Sequence, residues 1–290
     1  MKPAAFDYAC PDSVEEAIAL LASHADAKVI AGGQSLIPML NFRVVRPSML
    51  VDIGRLLELD FIRETDSGLR IGALTRHHTT ETSPLIARMF PVISAAMKHV
   101  AHVAIRNRGT FGGSLSHADP AAELPMLALL LDATMTARSL TGERVIEAKD
   151  FFVGSLASAL EEDEILLHVD LPRLSPQTGW AFEEFARRAG DFALASVAVL
   201  LECREGQVIN PRIAMMGVGE TPLRIPAAED VLRGRHWDDA LVSAAVKAGC
   251  EQLQPNVDLH ASAEYRRHLA AMLFERALHD AWRRASGELS

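Results

Sequence analysis

The segment from Arg106 to Pro125, RNRGTFGGSLSHADPAAELP, contains a glycine pair flanked by small hydroxyl residues, then an acid, Glu123, ahead of an apolar run. The same theme occurs earlier as Ala31-Gly32-Gly33-Gln34-Ser35-Leu36, fed by the strand-like run Lys28-Val29-Ile30-Ala31. Glycine pairs let the backbone approach a ligand closely. Consecutive N–H groups in a turn form an anion-binding concavity. Two such segments can hold a pyrophosphate between them without any lysine. Each one alone is equally compatible with an ordinary turn, glycine being the commonest turn residue. Neither fits the G-x-x-x-x-G-K-[ST] or G-x-G-x-x-G phosphate loops.

Other residues compete for a chemical role. Glu123 can accept hydrogen bonds from a sugar hydroxyl, or it can be a helix-start acid favoured by the helix dipole. Asp119, before Pro120, can share that work or simply form a turn. Ser114, Ser116, His117 and Asp119 do not make a hydrolase: triad members are brought together by the fold, and no G-x-S-x-G elbow is present. His99 with His102, and His77 with His78, lack the further ligands a metal needs. The run Glu161-Glu162-Asp163-Glu164 reads as a solvated turn. Gly190-Asp191 signals a turn between strands. Phe192 behind it is either exposed and free to stack on a flat ring, or core at the start of the next strand.

The elements that must position these residues alternate in type. Phe6 to Ala9 reads as a strand, and Ser13 with Glu16 caps a helix carrying Val14, Ala17, Ile18 and Leu21 at helical spacing. Apolar strands are expected at 28–31, 49–53 and 69–73, and a short helix at 35–42. Helices are expected at 85–100, interrupted near Pro91, and at 123–131, with a hairpin through Thr141-Gly142 and a strand at 165–171. This alternation argues for an α/β half. Pro172 to Gly179 is rich in Pro, Ser and Gly and marks a boundary. Beyond it the strands 180–187, 193–202 and 208–218 predict an antiparallel sheet, followed by helices at 227–233, 238–252 and 263–284. The second part is therefore α+β, and the units are residues 1–175 and 176–290.

Composition narrows the class. The net charge of −9 lacks the basic footprint of a nucleic-acid binder. The three cysteines, Cys10, Cys203 and Cys250, are far apart and form no C-x-x-C, so neither a zinc site nor an iron–sulfur ligand set can be built from them. Free thiols suit a reducing, cytoplasmic compartment. Met1 to Cys10 lacks the apolar core of a secretory signal, and no apolar run approaches the ~20 residues of a membrane span.

The two glycine segments together resemble the flavin subunit of the molybdenum hydroxylases, the xanthine dehydrogenase and carbon monoxide dehydrogenase family. There, AGG-x-S-L and T-[hydrophobic]-GG-N are the two FAD pyrophosphate loops. Here they read Ala31 to Leu36 and Thr110-Phe111-Gly112-Gly113-Ser114, with Ser114 where Asn is usual. The resemblance covers the whole chain. It implies a two-part FAD-binding domain of the PCMH type, followed by a small domain with a three-stranded antiparallel sheet and helices. FAD would lie extended between them.

As the resemblance has it, Ala31, Gly32, Gly33, Gln34, Ser35, Leu36, Thr110, Gly112, Gly113 and Ser114 surround the pyrophosphate, and Glu123 lies beside the sugar or ribityl hydroxyls. Ile165 or Leu166 meets the cofactor through backbone atoms, and Phe192 covers one face of the isoalloxazine. No residue is implied to be catalytic or to bind a metal. The implied role is an electron relay. Molybdopterin and [2Fe-2S] clusters would lie on a large and a small partner subunit, in a dimer of heterotrimers, and electrons would leave to an outside acceptor. The run His102 to Gly109 resembles members that oxidise N-heteroaromatic compounds. Two other functions remain open: a self-sufficient FAD-dependent oxidoreductase, and a non-catalytic nucleotide-binding scaffold.

Overall fold

The computed structural model describes residues 1–288. It opens with a parallel α/β unit: β1 Asp7–Ala9, α1 Val14–Ser23, β2 Ala27–Ile30, α2 Leu36–Asn41 and β3 Met49–Asp52. The strand order is β1-β3-β2, both pairings parallel. Ser13 caps α1 by accepting from the Glu16 N–H, while the Glu16 carboxylate reaches past it to the Asp12 N–H at 3.0 Å. Val14, Ala17, Ile18 and Leu21 pack with Val51 and Ile53 in a small core.

The expected α/β alternation ends there. From β4 Ile62–Thr65 and β5 Gly68–Gly72 onward the next sheet is antiparallel. Helices α3 His77–Thr82, α4 Pro84–Met89, α5 Pro91–Met97, α6 Val103–Arg106, α7 Phe111–His117 and α8 Glu123–Leu130 follow without an intervening strand. The hairpin β6 Thr134–Ser139 and β7 Gly142–Glu147 is succeeded by α9 Ala148–Phe151, the short pair β8 Phe152–Gly154 and β9 Ala157–Ser158, and β10 Ile165–Pro172. The five-stranded order β4-β5-β10-β6-β7 places β10 at the centre, antiparallel to both neighbours. Antiparallel neighbours can be joined by tight turns, as β4 to β5 and β6 to β7 are, whereas helices α3 to α8 carry the chain from β5 across to β6.

The C-terminal part contains β11 Thr178–Ala186, β12 Ala193–Arg204, β13 Gln207–Met216, β14 Leu223–Arg224, α10 Pro226–Leu232, α11 Asp239–Cys250 and α12 Ala263–Ala285. Its antiparallel sheet gains a fourth, two-residue strand, β14, that the sequence reading omits. β12 is buried continuously from Ala193 to Leu201. Side-chain alternation explains why. Ala198 and Leu200 face the core shared with α5, α8 and β10, whereas Val197, Val199 and Leu201 face α11 and α12. The two parts are therefore joined through a common apolar layer.

The acidic run corrects the expectation of a fully solvated turn. Glu164 is buried, takes Arg144 at 2.6 and 2.8 Å, and accepts from the Glu161 N–H at 2.8 Å. These bonds hold its carboxyl below the usual range, the guanidinium being the main cause.

Candidate flavin site

The two glycine segments meet. A Cβ built on Gly32 would lie 2.2 Å from the carbonyl oxygen of Arg108 and 2.9 Å from the Gly109 Cα, so only glycine lets the backbones pass. Gly33 has φ +70°, the left-handed region that glycine enters without strain. The N–H groups of Gly32, Gly33, Gln34 and Ser35 have no acceptor among the described residues. Gln34 instead donates its side-chain amide to the Gly32 carbonyl at 2.9 Å, bracing the turn. Ser35 is the N-cap of α2, exposed, with no capping bond from its hydroxyl. This is a cradle of free donors at the C-terminal end of a parallel strand.

The second segment is built differently from the open loop its glycines suggest. Thr110 is buried and caps α7 by accepting from the Gly113 N–H at 3.1 Å. Gly112 N–H donates to Ala73, and a Cβ on Gly112 would meet the Ala73 Cβ at 2.6 Å. Gly112 therefore serves close packing against the antiparallel sheet. Gly113 lies in the helix, exposed, where an added Cβ would meet the Thr110 hydroxyl at 2.5 Å and otherwise only the same side chain. Ser114 donates its N–H to the Thr110 carbonyl. Free donors thus concentrate in the first segment, and the second supplies shape.

Three residues that the motif search passed over hold this arrangement. His77 Nε2 lies 2.9 Å from the Thr110 carbonyl. A carbonyl only accepts, so that nitrogen carries the proton. The buried Nδ1 has no partner among the described residues, and burial pulls the imidazole pKa down to about 4. Arg76 binds the Arg108 carbonyl. Arg106, buried, pairs with Glu81 at 2.8 Å and clamps the carbonyls of Val100 and Ala101 at 2.9 and 3.1 Å. Ala101 is held at φ +43°, a strained value for a residue with a side chain. Arg106 opens the stretch that contains the second glycine pair, whereas Arg76 and His77 lie far from either glycine pair along the chain and carried no signal for this role.

The remaining expected residues fall around this centre. Glu123 opens α8, half-buried. Burial, with the Glu184 carboxylate as the second cause, pushes its pKa up to about 8. Asp119 caps its own turn through the Ala121 N–H at 2.9 Å. Ile165 and Leu166 start β10 with side chains 2% and 4% exposed, pointing into two different cores, so only their backbone is free to face a ligand. Phe192 is 69% exposed and is no part of the core. Its turn is seated by Gly190, at φ +83°, where a Cβ would lie 2.4 Å from the His102 ring and 3.1 Å from the Ala101 carbonyl. Phe192 borders a cavity of about 260 Å³ that also includes Asp191, Gly217 and Arg266. His99 turns to Glu184 and His102 precedes α6, and among the described residues no group of three or more metal-ligating side chains forms.

The residues fit a flavin dinucleotide. A glycine cradle closed to any Cβ and lined with free N–H groups suits a diphosphate, and an exposed aromatic at the far turn suits a planar ring.

Comparison with known proteins gives the same grouping. Residues 4–174 match the model described as FAD binding domain in molybdopterin dehydrogenase, and residues 180–281 match the CO dehydrogenase flavoprotein C-terminal domain. The 6-hydroxypseudooxynicotine dehydrogenase complex subunit alpha of Paenarthrobacter nicotinovorans is 46% identical over 287 residues, covering 98% of this chain and 97% of that one. Carbon monoxide dehydrogenase from Hydrogenophaga pseudoflava superposes with a TM-score of 0.96 at 38% identity, covering 98% of this chain and 99% of that chain. Quinoline 2-oxidoreductase from Pseudomonas putida 86 does so with a TM-score of 0.94 at 40% identity over 100% of both. With matches to both its parts and relatives spanning its length, the chain belongs to the FAD-binding medium subunits of the molybdenum hydroxylases.

Proposed function

We propose that this chain is the electron-relay subunit of a molybdenum hydroxylase that oxidises an N-heteroaromatic compound, and that it works in a dimer of heterotrimers. A large subunit with molybdopterin performs the hydroxylation, and a small subunit with [2Fe-2S] clusters carries electrons to the flavin. Bound FAD supplies the change from single-electron carriers to an outside acceptor. The names of the quinoline and 6-hydroxypseudooxynicotine relatives support the substrate class.

What this chain does is bind and orient. The donors of Gly32 to Ser35 hold the diphosphate without a cation, and α2 behind them adds the positive end of its dipole. Thr110, Gly112, Gly113 and Ser114 form the opposite wall, kept in place by His77 and Arg76. Glu123 contacts the sugar portion, the backbone of Ile165 and Leu166 borders the middle of the cofactor, and Phe192 covers one ring face. The units 1–175 and 176–290 close over it. The absence of a helix long and apolar enough to cross a membrane among the described residues fits a relay in the aqueous phase.

The observation that carries this reading is the contact of Gly32 with the Arg108 carbonyl, which joins the two glycine segments into one cradle. The test is the full chain purified alone. It should be yellow, release FAD on denaturation, pass electrons from the reduced partner complex to a dye, and show no hydroxylase activity. Turnover of a heterocycle by a molybdenum-free preparation would end the relay reading, and a colourless chain that takes up no FAD would end the flavin site.

A further inference from the structure

The turn that carries Phe192 needs an anchor, because its own side-chain bond is weak. Arg187 donates to Asp191 at 3.4 Å, and both side chains are open to water. An exposed pair at that distance holds little. A stronger anchor lies at the base of the turn. Arg266, near the start of α12, has a side chain only 8% exposed. Its Nη1 donates to the Leu194 carbonyl at 2.6 Å and to the Gly217 carbonyl at 3.2 Å, and its Nη2 donates to Asp258 at 2.8 Å. Leu194 is only two residues beyond Phe192.

Arg266 stands where strand pairing stops. The register of β12 with β13 runs out at Ser196 opposite Met216. Just past that rung Gly217 turns at φ +74°, and a Cβ on it would lie 2.9 Å from the Leu194 carbonyl oxygen and 3.2 Å from that of Ala193. Only glycine lets the two chain ends lie this close, and the guanidinium bonds them there. The Gly217 N–H donates to the Pro120 carbonyl at 3.0 Å, so the same unit ties the base of the Phe192 turn to the segment ahead of Glu123. Phe192, Gly217, Asp258 and Arg266 border one cavity of about 260 Å³. A buried ion pair adds little net stability, and the Arg266 Nε has no partner among the described residues, which costs some. The bonds of Arg266 run to three separate chain segments, so what it sets is their arrangement.

Resting on the reading of Phe192 as the cover of the isoalloxazine, we propose that Arg266 is a positioning residue that acts through Phe192. It fixes the start of β12, so that the aromatic ring is held against the flavin instead of swinging with an exposed turn. Asp258 is its counter-ion. Oδ1 of Asp258 accepts from the N–H groups of His260 and Ala261 at 2.8 and 3.0 Å, which leaves Oδ2 to orient the guanidinium. Fixing in advance a ring that is 69% exposed removes part of the ordering cost of FAD binding.

The test is a double-mutant cycle on the full apo chain, read by FAD affinity and flavin fluorescence, with thermal melts as a folding control. Arg266→Met keeps the length of the side chain and removes its donors, and Asp258, 45% exposed, is left to water rather than as a buried charge. With Phe192 present, this variant should retain FAD in the cradle but weaken it by about two- to tenfold, the range of an aromatic contact. Its flavin fluorescence should rise as the quenching ring moves away. In the Phe192→Ala background Arg266→Met should change neither signal. Arg266→Lys, which keeps a donor for the carbonyls, should fall between wild type and Arg266→Met, and it carries the cycle if Arg266→Met does not fold. Equal losses in both backgrounds would show Arg266 acting elsewhere than on Phe192, and the proposal would fall. A lowered melting temperature with the flavin signals untouched would leave Arg266 a clamp of the fold, with the same result. Phe192→Ala without effect on affinity or fluorescence would overturn the reading of Phe192 itself, and the proposal along with it.

Discussion

His77, the first residue of α3, and Thr110, the first residue of the second glycine segment, are tied by a 2.9 Å hydrogen bond from a buried imidazole nitrogen to a backbone carbonyl. The bond orients α7 at its N-cap, and it works with a neutral ring. Burial holds the His77 pKa at about 4 against an ordinary value of 6.5.

That depression sets a pH dependence. The unfolded chain binds a proton at His77 below pH ~6.5 and the folded chain only near pH 4, so stability is complete above 6.5 and lost as pH falls through that window. Denaturant unfolding of wild type should therefore weaken from pH 6.5 to pH 4 more steeply than that of His77→Gln, which can donate the same bond without titrating. Equal slopes would mean that His77 is open to water in solution.

Glycine substitutions separate packing from free space. Gly32→Ala forces a methyl onto the Arg108 backbone, and Gly33→Ala must hold φ +70°, at roughly 1–2 kcal/mol for the left-handed region. Both should lower FAD occupancy, Gly32→Ala most. Gly113→Ala meets only the Thr110 side chain and should leave a folded protein. Its flavin content then reports whether the α7 wall lies against the diphosphate. Flavin content after purification, set beside the melting temperature, tells these cases apart, and full occupancy in Gly32→Ala would refute the shared cradle.

Much of the fold was legible because periodicity and punctuation are local. The Ser13 cap, the interruption at Pro91 and the hairpin through Thr141-Gly142 fall where the residues place them. The second glycine pair reads as a loop because glycine lowers helix propensity, yet Thr110 caps α7 and Ala73 leaves room for no side chain at Gly112. Tertiary contact decided there. His77, Arg76 and Arg106 were illegible for the same reason: each acts on a carbonyl, and carbonyls carry no sequence signal. The raised Glu123 pKa comes first from burial and second from Glu184, far away along the chain, and no spacing rule reveals either.

The acidic run offers a clean contrast. Glu164→Ala would strand Arg144 and leave the Glu161 N–H without its acceptor, costing roughly 1.5–3 kcal/mol as for hydrogen bonds to charged groups. Glu161→Ala removes a side chain that makes no such bond and should change stability by no more than about 0.5 kcal/mol. Chemical denaturation of both variants decides it. A pair of equal, small effects would show that the Arg144 contact is screened away by solvent.

Phe192 gives the sharpest test of the flavin face. At 69% exposed it contributes little to the folded apo protein, so Phe192→Ala should shift apo stability by no more than about 0.5 kcal/mol. A core phenylalanine would instead cost about 3–5 kcal/mol through the cavity left behind. If its ring covers the isoalloxazine, truncation removes an aromatic contact of about 0.5–1.5 kcal/mol beyond area burial, and FAD binds more weakly. The visible flavin bands should shift and the fluorescence should rise as a quenching neighbour is lost. Phe192→Trp should retain both the cofactor and the quenching, because a side chain 69% exposed has room for a larger ring. Titration of apo protein with FAD, followed by fluorescence, compares the three forms directly. An unchanged spectrum and affinity in Phe192→Ala would remove this residue from the site, while the cradle at Gly32 would stand on its own contacts.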